Sequence, residues 1–114
     1  MKSHYSLVVI GAGPAGLSAA VVAAQHGLDV VLLDDQKAPG GQIYRAMESI
    51  PAERAKLLGA EYLRGRQLVS ALRESNVDYF ADCQVWSLNN KLEIGLTQNN
   101  KALMLTADRV LLDN

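Results

Sequence analysis

Six residues near the start of this 114-residue chain, Gly11-Ala12-Gly13-Pro14-Ala15-Gly16, leave few folds open. Before them lies Ser6 to Ile10, a short apolar run rich in β-branched residues. Such a run suits a strand buried on both faces of a parallel sheet. After them, Leu17-Ser18-Ala19-Ala20-Val21-Val22-Ala23-Ala24 reads as a helix that stops near Gly27, a C-cap glycine. Leu28 to Leu33 is a second apolar run, and Asp34 stands at its end, 18 positions after Gly16. Strand, glycine turn, helix, and strand ending in an acid form the opening of a parallel α/β sheet.

Each residue of the turn has a physical reason. Gly11 permits the sharp change of direction, Gly13 lets a pyrophosphate approach the backbone, and Gly16 lets the helix pack closely on the strand. Pro14 falls in the first helical turn, where its missing N–H costs nothing. Ala12 and Ala15 complete the same turn. The helix N-terminus carries free N–H groups and a partial positive charge, both of which favour a phosphate anion. The Asp34 carboxylate can accept hydrogen bonds from ribose hydroxyls and would repel a 2′-phosphate, and Asp35 adds a second negative charge. A glycine turn alone could merely join a strand to a helix. The agreement of strand, helix and spaced acid favours a cradle for an adenine dinucleotide.

These residues resemble the flavin-binding N-terminus of the two-dinucleotide-domain flavoproteins, the pyridine nucleotide-disulfide oxidoreductase and thioredoxin-reductase-like group. Gly-Ala-Gly-Pro-Ala-Gly-Leu at 11–17 is similar to the variant found in its FAD domains. Pro39-Gly40-Gly41-Gln42 resembles a Gly-Gly-Gln segment that passes the flavin side of the cofactor there. The resemblance implies that Gly41 approaches FAD through its backbone and that the Gln42 amide hydrogen-bonds to it. The longer string Pro39-Gly-Gly-Gln-Ile-Tyr-Arg45 is similar to the FAD-binding subunits of opine oxidases, hydrogen cyanide synthase and related amino-acid dehydrogenases. In that group the Val85-Trp86 pair would put the valine backbone against the adenine. The strand like Arg109 to Leu112 normally leads there into an Ala-Thr-Gly turn on the cofactor, whereas Asp113-Asn114 follows here.

The expected architecture is therefore a Rossmann-like FAD/NAD(P)-binding α/β fold, a parallel sheet with helices plus a C-terminal β-meander, incomplete. Residues 1–114 are expected to be its N-terminal portion, with the NAD-binding and C-terminal parts absent. Net charge is −1, which gives no electrostatic case for nucleic acid or an anionic membrane. The apolar runs are far too short to span a bilayer, and Met1 to Tyr5 does not open a secretory signal, so a cytoplasmic setting is expected. Cys83 is the single cysteine and is expected to pack as a small hydrophobe. His4 and His26 are isolated and expected to be solvated, and no metal site is expected.

In the second half, Gln36 to Pro51 reads as a long connection near the carboxyl ends of the strands. Tyr44 and Arg45 within it either face a flavin or phosphate or pack on the surface. Ala52 to Ser75 reads as a helix, with Leu58, Tyr62, Gly65, Val69 and Leu72 on its apolar face. Its arginines read as a solvated face ahead of an anion site. Val77 to Phe80 is a third parallel strand, and 85–88, 92–96, 102–105 and 109–112 are four short strands of a meander. Asn89-Asn90 and Asn99-Asn100 are turn formers that tolerate positive φ. Trp86 is expected in the core, with approach to the adenine as the alternative.

The function expected on these grounds is the FAD-binding portion of an FAD-dependent oxidoreductase of the amino-acid or opine dehydrogenase type, a truncated or fragment chain that is not catalytic alone. The alternatives are a non-catalytic nucleotide-binding or assembly module, and an NAD-binding domain. The ligand expected is FAD or another adenine dinucleotide, and a second copy or a partner subunit is expected to cover the open edge.

Overall fold

The computed structural model describes residues 1–37 and 52–113. The chain runs β1 (His4–Ile10), α1 (Pro14–Gln25), β2 (Val30–Leu33), α2 (Ala52–Glu74), β3 (Asp78–Phe80), β4 (Gln84–Leu88), β5 (Glu93–Gln98) and β6 (Lys101–Leu112). All six strands join one sheet in the order β3-β2-β1-β6-β5-β4. β3, β2, β1 and β6 run parallel, while β6, β5 and β4 are antiparallel. This is the expected parallel α/β sheet with a meander. The strand order reverses at β1, because β2 and β3 are added on one side of it and β6 on the other.

Both faces of the parallel part are buried, as its unbroken apolar runs require. On one face Val9, Val30 and Leu32 pack under Leu17, Ala20 and Val21 of α1 and Val69 and Leu72 of α2. On the other, Val8, Val31 and Leu33 meet Ile94, Leu96, Leu105 and Ala107 from the meander. Helices therefore cover one side and the curled antiparallel strands the other. Arg64, Arg66, Arg73 and Glu74 are exposed on α2, in line with a solvated face. The side chains of Leu58 and Tyr62 lie outside those described, whereas Gly65, Val69 and Leu72 are buried as expected.

α1 begins at Pro14 in its first turn and ends with His26 at the C-cap, followed by Gly27 at φ +83°. That left-handed conformation is the one glycine supplies after a helix. Tyr5 is fully buried at the start of β1, and its hydroxyl donates to Asp78 of β3 at 2.7 Å. Burial and that carboxylate push its hydroxyl pKa up to about 12. The bond ties the amino end of the sheet, opposite to the glycine turn.

The meander departs from expectation in three places. Residues 102–105 and 109–112 are not separate strands but parts of one twelve-residue strand, β6. Its first half pairs with β5 up to Thr106, and from Thr106 to Leu112 it pairs with β1. The strand continues through Ala107-Asp108 because β1 takes over its hydrogen bonds where β5 leaves them. The Asn99-Asn100 turn forms as expected, with φ of 52° and 62°, and Gln98 opposite Lys101 makes a two-residue hairpin. At the other turn the positive φ falls on Leu92, at 56°, rather than on Asn89 or Asn90. Asn89 acts there through its side chain, whose oxygen accepts from the amides of Lys91 and Glu93.

The third departure is Trp86, which is not in the core but 56% exposed. Its ring lies over Gly95 on the neighbouring strand, where a Cβ would sit 2.6 Å from the indole. Its indole N–H donates to the Thr97 hydroxyl at 3.1 Å. The side-chain-free glycine makes the floor for the ring, an aromatic cover over a strand glycine. Gly95→Ala is expected to push the ring toward solvent. The cost is about 1 kcal/mol, at the low end of overpacking because the ring is free to swing outward. As the single tryptophan, Trp86 reports this directly. Its emission should shift to the red with unchanged far-ultraviolet dichroism, and an unshifted emission would contradict the stacked geometry.

Candidate functional site

The carboxyl ends of the parallel strands are the place where an open α/β sheet binds ligands, at the point where strand order reverses. In this chain that point is the crevice between the ends of β1 and β6. The glycine turn lies in it. Gly11 leaves β1 at φ +105°, and its amide donates to the Leu33 carbonyl at 2.8 Å. Gly13 is the N-cap of α1, in extended conformation and with no side-chain cap. The first turn of the helix has no acidic residue of its own. Ala12 and Gly16 are buried, whereas Pro14 and Ala15 are exposed at the helix start.

The three glycines converge on one group, the residue that follows β6. The Asp113 amide donates to the Ile10 carbonyl at 2.8 Å, which continues the β1–β6 ladder past Leu112. Its side chain then turns into the glycine cradle, where the Gly16 amide donates to its Oδ2 at 2.7 Å. A Cβ on Gly13 would lie 2.8 Å from that same oxygen, and one on Gly16 would lie 2.6 Å from it. A Cβ on Gly11 would collide with the Asp113 carbonyl oxygen. The helix N-terminus thus holds an oxyanion, as its exposed amides and dipole favour.

Asp34 stands next to this crevice at the end of β2. Its amide donates to the Phe80 carbonyl, and its carbonyl accepts from the Cys83 amide at 2.8 Å. The residue is 3% exposed. Its carboxylate accepts from the Gln36 amide at 3.2 Å and from the Tyr79 hydroxyl at 3.3 Å. Burial raises its pKa above the ordinary 3.8, against the opposing pull of those two hydrogen bonds. Asp35 is exposed and accepts from the Gln36 side-chain amide at 3.1 Å. The two acids therefore differ: Asp34 is inside and held, Asp35 outside.

The bond from Cys83 to Asp34 brings the start of β4 back to the end of β2. Val85 follows two residues later, half-buried against the cluster that contains Leu33. Cys83 itself is buried and packs as a small apolar residue, and burial pushes its thiol up to about 11. Gly41 and Gln42, together with Pro39, Gly40, Tyr44 and Arg45, lie outside the described residues. His4 and His26 are exposed. The His4 ring is within hydrogen-bond distance of Thr106 and Asp108, and the His26 ring of the Val22 carbonyl.

Two contacts were not read from the sequence: the Tyr79 hydroxyl on Asp34 and the Asp113 carboxylate on Gly16. The second left a signal. Leu32-Leu33-Asp34 and Leu111-Leu112-Asp113 are the same pattern, an apolar strand closing on an acid, on the two strands that flank β1.

Comparison with known proteins agrees with this geometry. The family described as pyridine nucleotide-disulphide oxidoreductase matches residues 5–112. An opine oxidase subunit of Rhizobium meliloti is 38% identical, over 98% of this chain and 23% of its own length. Thioredoxin reductase of Ureaplasma parvum is 34% identical, over 94% of this chain and 32% of its own length. The chain thus spans between about a quarter and a third of these two relatives. Among solved structures, a myxobacterial chondrochloren halogenase, titled a variant of FAD-dependent halogenases, superposes with a TM-score of 0.69. It is 15% identical, over 99% of this chain and 38% of that one, and shows the same fold.

The buried acid generates a pH prediction. A carboxyl whose pKa is raised on folding binds its proton more tightly in the native state. Its favourable contribution is then complete below the ordinary 3.8 and is lost as pH rises through the raised value. Asp34→Asn has no such titration. Its stability relative to the native chain should rise across that window and level off above it, as measured by denaturant unfolding between pH 3 and 7. A difference that does not vary with pH would contradict the burial argument.

Proposed function

The chain belongs to the pyridine nucleotide-disulphide oxidoreductase family, and from that premise we propose that residues 1–114 form the N-terminal portion of an FAD-binding domain. The observation that carries the reading is an oxyanion, the Asp113 carboxylate, seated on the Gly16 amide at the crevice where the strand order reverses. The cradle fits a dinucleotide pyrophosphate in three respects. Its glycines leave the backbone open to close approach. The helix start has no acid of its own. The amide at its third glycine already holds a negatively charged oxygen.

In this reading Gly11, Ala12, Gly13, Pro14, Ala15 and Gly16 wrap the pyrophosphate. Asp34 accepts the ribose hydroxyls, using lone pairs that Gln36 and Tyr79 leave over, and Asp35 opposes a 2′-phosphate. Val85 approaches the adenine by its backbone, and Gly41 and Gln42 approach the flavin. The bound flavin supplies hydride and electron transfer, and this chain's residues bind and orient it. The similarity to the Rhizobium opine oxidase supports an amino-acid or opine dehydrogenase type of oxidoreductase as the setting. The halogenase whose title names FAD supports FAD over NAD as the ligand.

The reading includes a partner subunit or second copy over the meander, supported by the exposed Trp86, Leu88 and Met104. It also sets the protein in the cytoplasm. No helix among the described residues is long and apolar enough to cross a membrane.

The test is a visible spectrum of the purified chain, followed by calorimetric titration with FAD, NAD and ADP. A yellow protein, or FAD binding tighter than NAD, is the expected result. Asp34→Ala should weaken ADP binding by about 1–3 kcal/mol, the scale of a lost hydrogen bond to a charged group. Equal binding of ADP, NAD and FAD would favour a nucleotide-binding module without flavin preference. Binding of none of them would overturn the reading.

A further inference from the structure

We infer that Asp113 is an intramolecular occupant of the nucleotide site, a carboxylate that the diphosphate must displace before it can bind. The inference rests on the reading of the glycine turn as a pyrophosphate cradle and adds a regulation to it. Three observations carry it. The Gly16 amide donates to Asp113 Oδ2 at 2.7 Å, so a donor of the cradle is already engaged. That oxygen lies 2.8 Å from where a Cβ would stand on Gly13 and 2.6 Å from where one would stand on Gly16, so it sits in contact with the surface that the glycines leave open. The backbone of Asp113 is held by its bond to the Ile10 carbonyl, so the carboxylate is delivered by the β1–β6 ladder rather than by a free tail.

A phosphate oxygen and the Asp113 carboxylate cannot share the Gly16 N–H, and two anions at that distance repel each other. Binding therefore requires the Asp113 side chain to rotate out of the cradle while its backbone stays in the ladder. The affinity for any diphosphate is lowered by the fraction of molecules in which the side chain has already left. A ligand without phosphates, such as adenosine, uses the Asp34 end of the site and does not meet this carboxylate. The contact thus works as a selective brake on the anionic part of the ligand.

The test compares ADP and adenosine binding to the native chain, Asp113→Asn and Asp113→Ala by calorimetry. Asp113→Asn keeps the shape and an oxygen acceptor for Gly16, so it guards against loss of folding. Asp113→Ala empties the cradle. If the carboxylate is seated in about nine molecules of ten, Asp113→Ala should bind ADP about tenfold more tightly, and Asp113→Asn, which loses the charge but keeps an acceptor for Gly16, should fall between it and the native chain, with adenosine unchanged in both. In the native chain the Gly16 amide resonance should move on adding ADP as it exchanges one oxyanion for another. ADP affinity that is equal in all three proteins, or lower in the variants, overturns the inference and leaves the nucleotide reading intact. Absence of ADP binding to the native chain and both variants overturns the nucleotide reading and the inference with it.

Discussion

The strand β6 holds this molecule together. Its twelve residues pair with β5 at one end and with β1 at the other, and the exchange takes place at Thr106. There the Thr106 amide donates to the Ser3 carbonyl and the Ala107 amide to the Leu92 carbonyl, so backbone bonds run to both neighbours. Without that shared strand the meander has no fixed relation to the parallel strands, and the face carrying Val8, Val31 and Leu33 loses the cover that Ile94, Leu96 and Leu105 give it. Burial of such side chains contributes about 1.5–3 kcal/mol each, so the pairing sets the second core as well as the topology.

The same pairing makes the site. A parallel strand on the far side of β1 from β2 creates the reversal of strand order, and a reversal leaves a crevice that no connecting segment fills. The glycine turn opens into it from β1, Asp34 borders it from β2, and Asp113 enters it from β6. Gly11, Asp34 and Asp113 are each the first residue beyond a strand, and the amide of each still bonds to the neighbouring strand, so the ladders fix where the turn and the two carboxylates stand. Electrostatics then decide what stays there. The helix N-terminus favours an anion, and in this structure the anion is the chain's own carboxylate.

Local chemistry made much of this legible. Val8 to Ile10, the helix after Pro14, the apolar stripe through Val69 and Leu72, and the Asn99-Asn100 hairpin follow from periodicity and turn preference, and each formed. What the sequence did not show depends on which strand lies beside which. Ala107-Asp108 looks like a break until β1 supplies its hydrogen bonds. Trp86 looks like core until Gly95 is found opposite it, giving the ring a floor on the outer face. At the other turn the positive φ falls on Leu92 while the Asn89 side chain accepts from the amides of Lys91 and Glu93, a division of roles that turn preference alone does not give. Asp113 belongs to the site only because β6 reaches β1 in the register that sets Leu112 beside Ile10. Family resemblance carried the Gly41-Gln42 and Val85 assignments, which no pattern of periodicity or spacing reaches.

The central claim is that the crevice between β1 and β6 is a diphosphate site built on the Gly11–Gly16 turn. Mapping backbone amide shifts during an ADP titration tests it most directly. The account predicts the largest changes at Gly11, Gly13, Gly16 and Asp113, a second group at Asp34 to Gln36, and little change along β5. Shifts confined to the Trp86 and Met104 face of the meander, with the glycine turn unmoved, would contradict it.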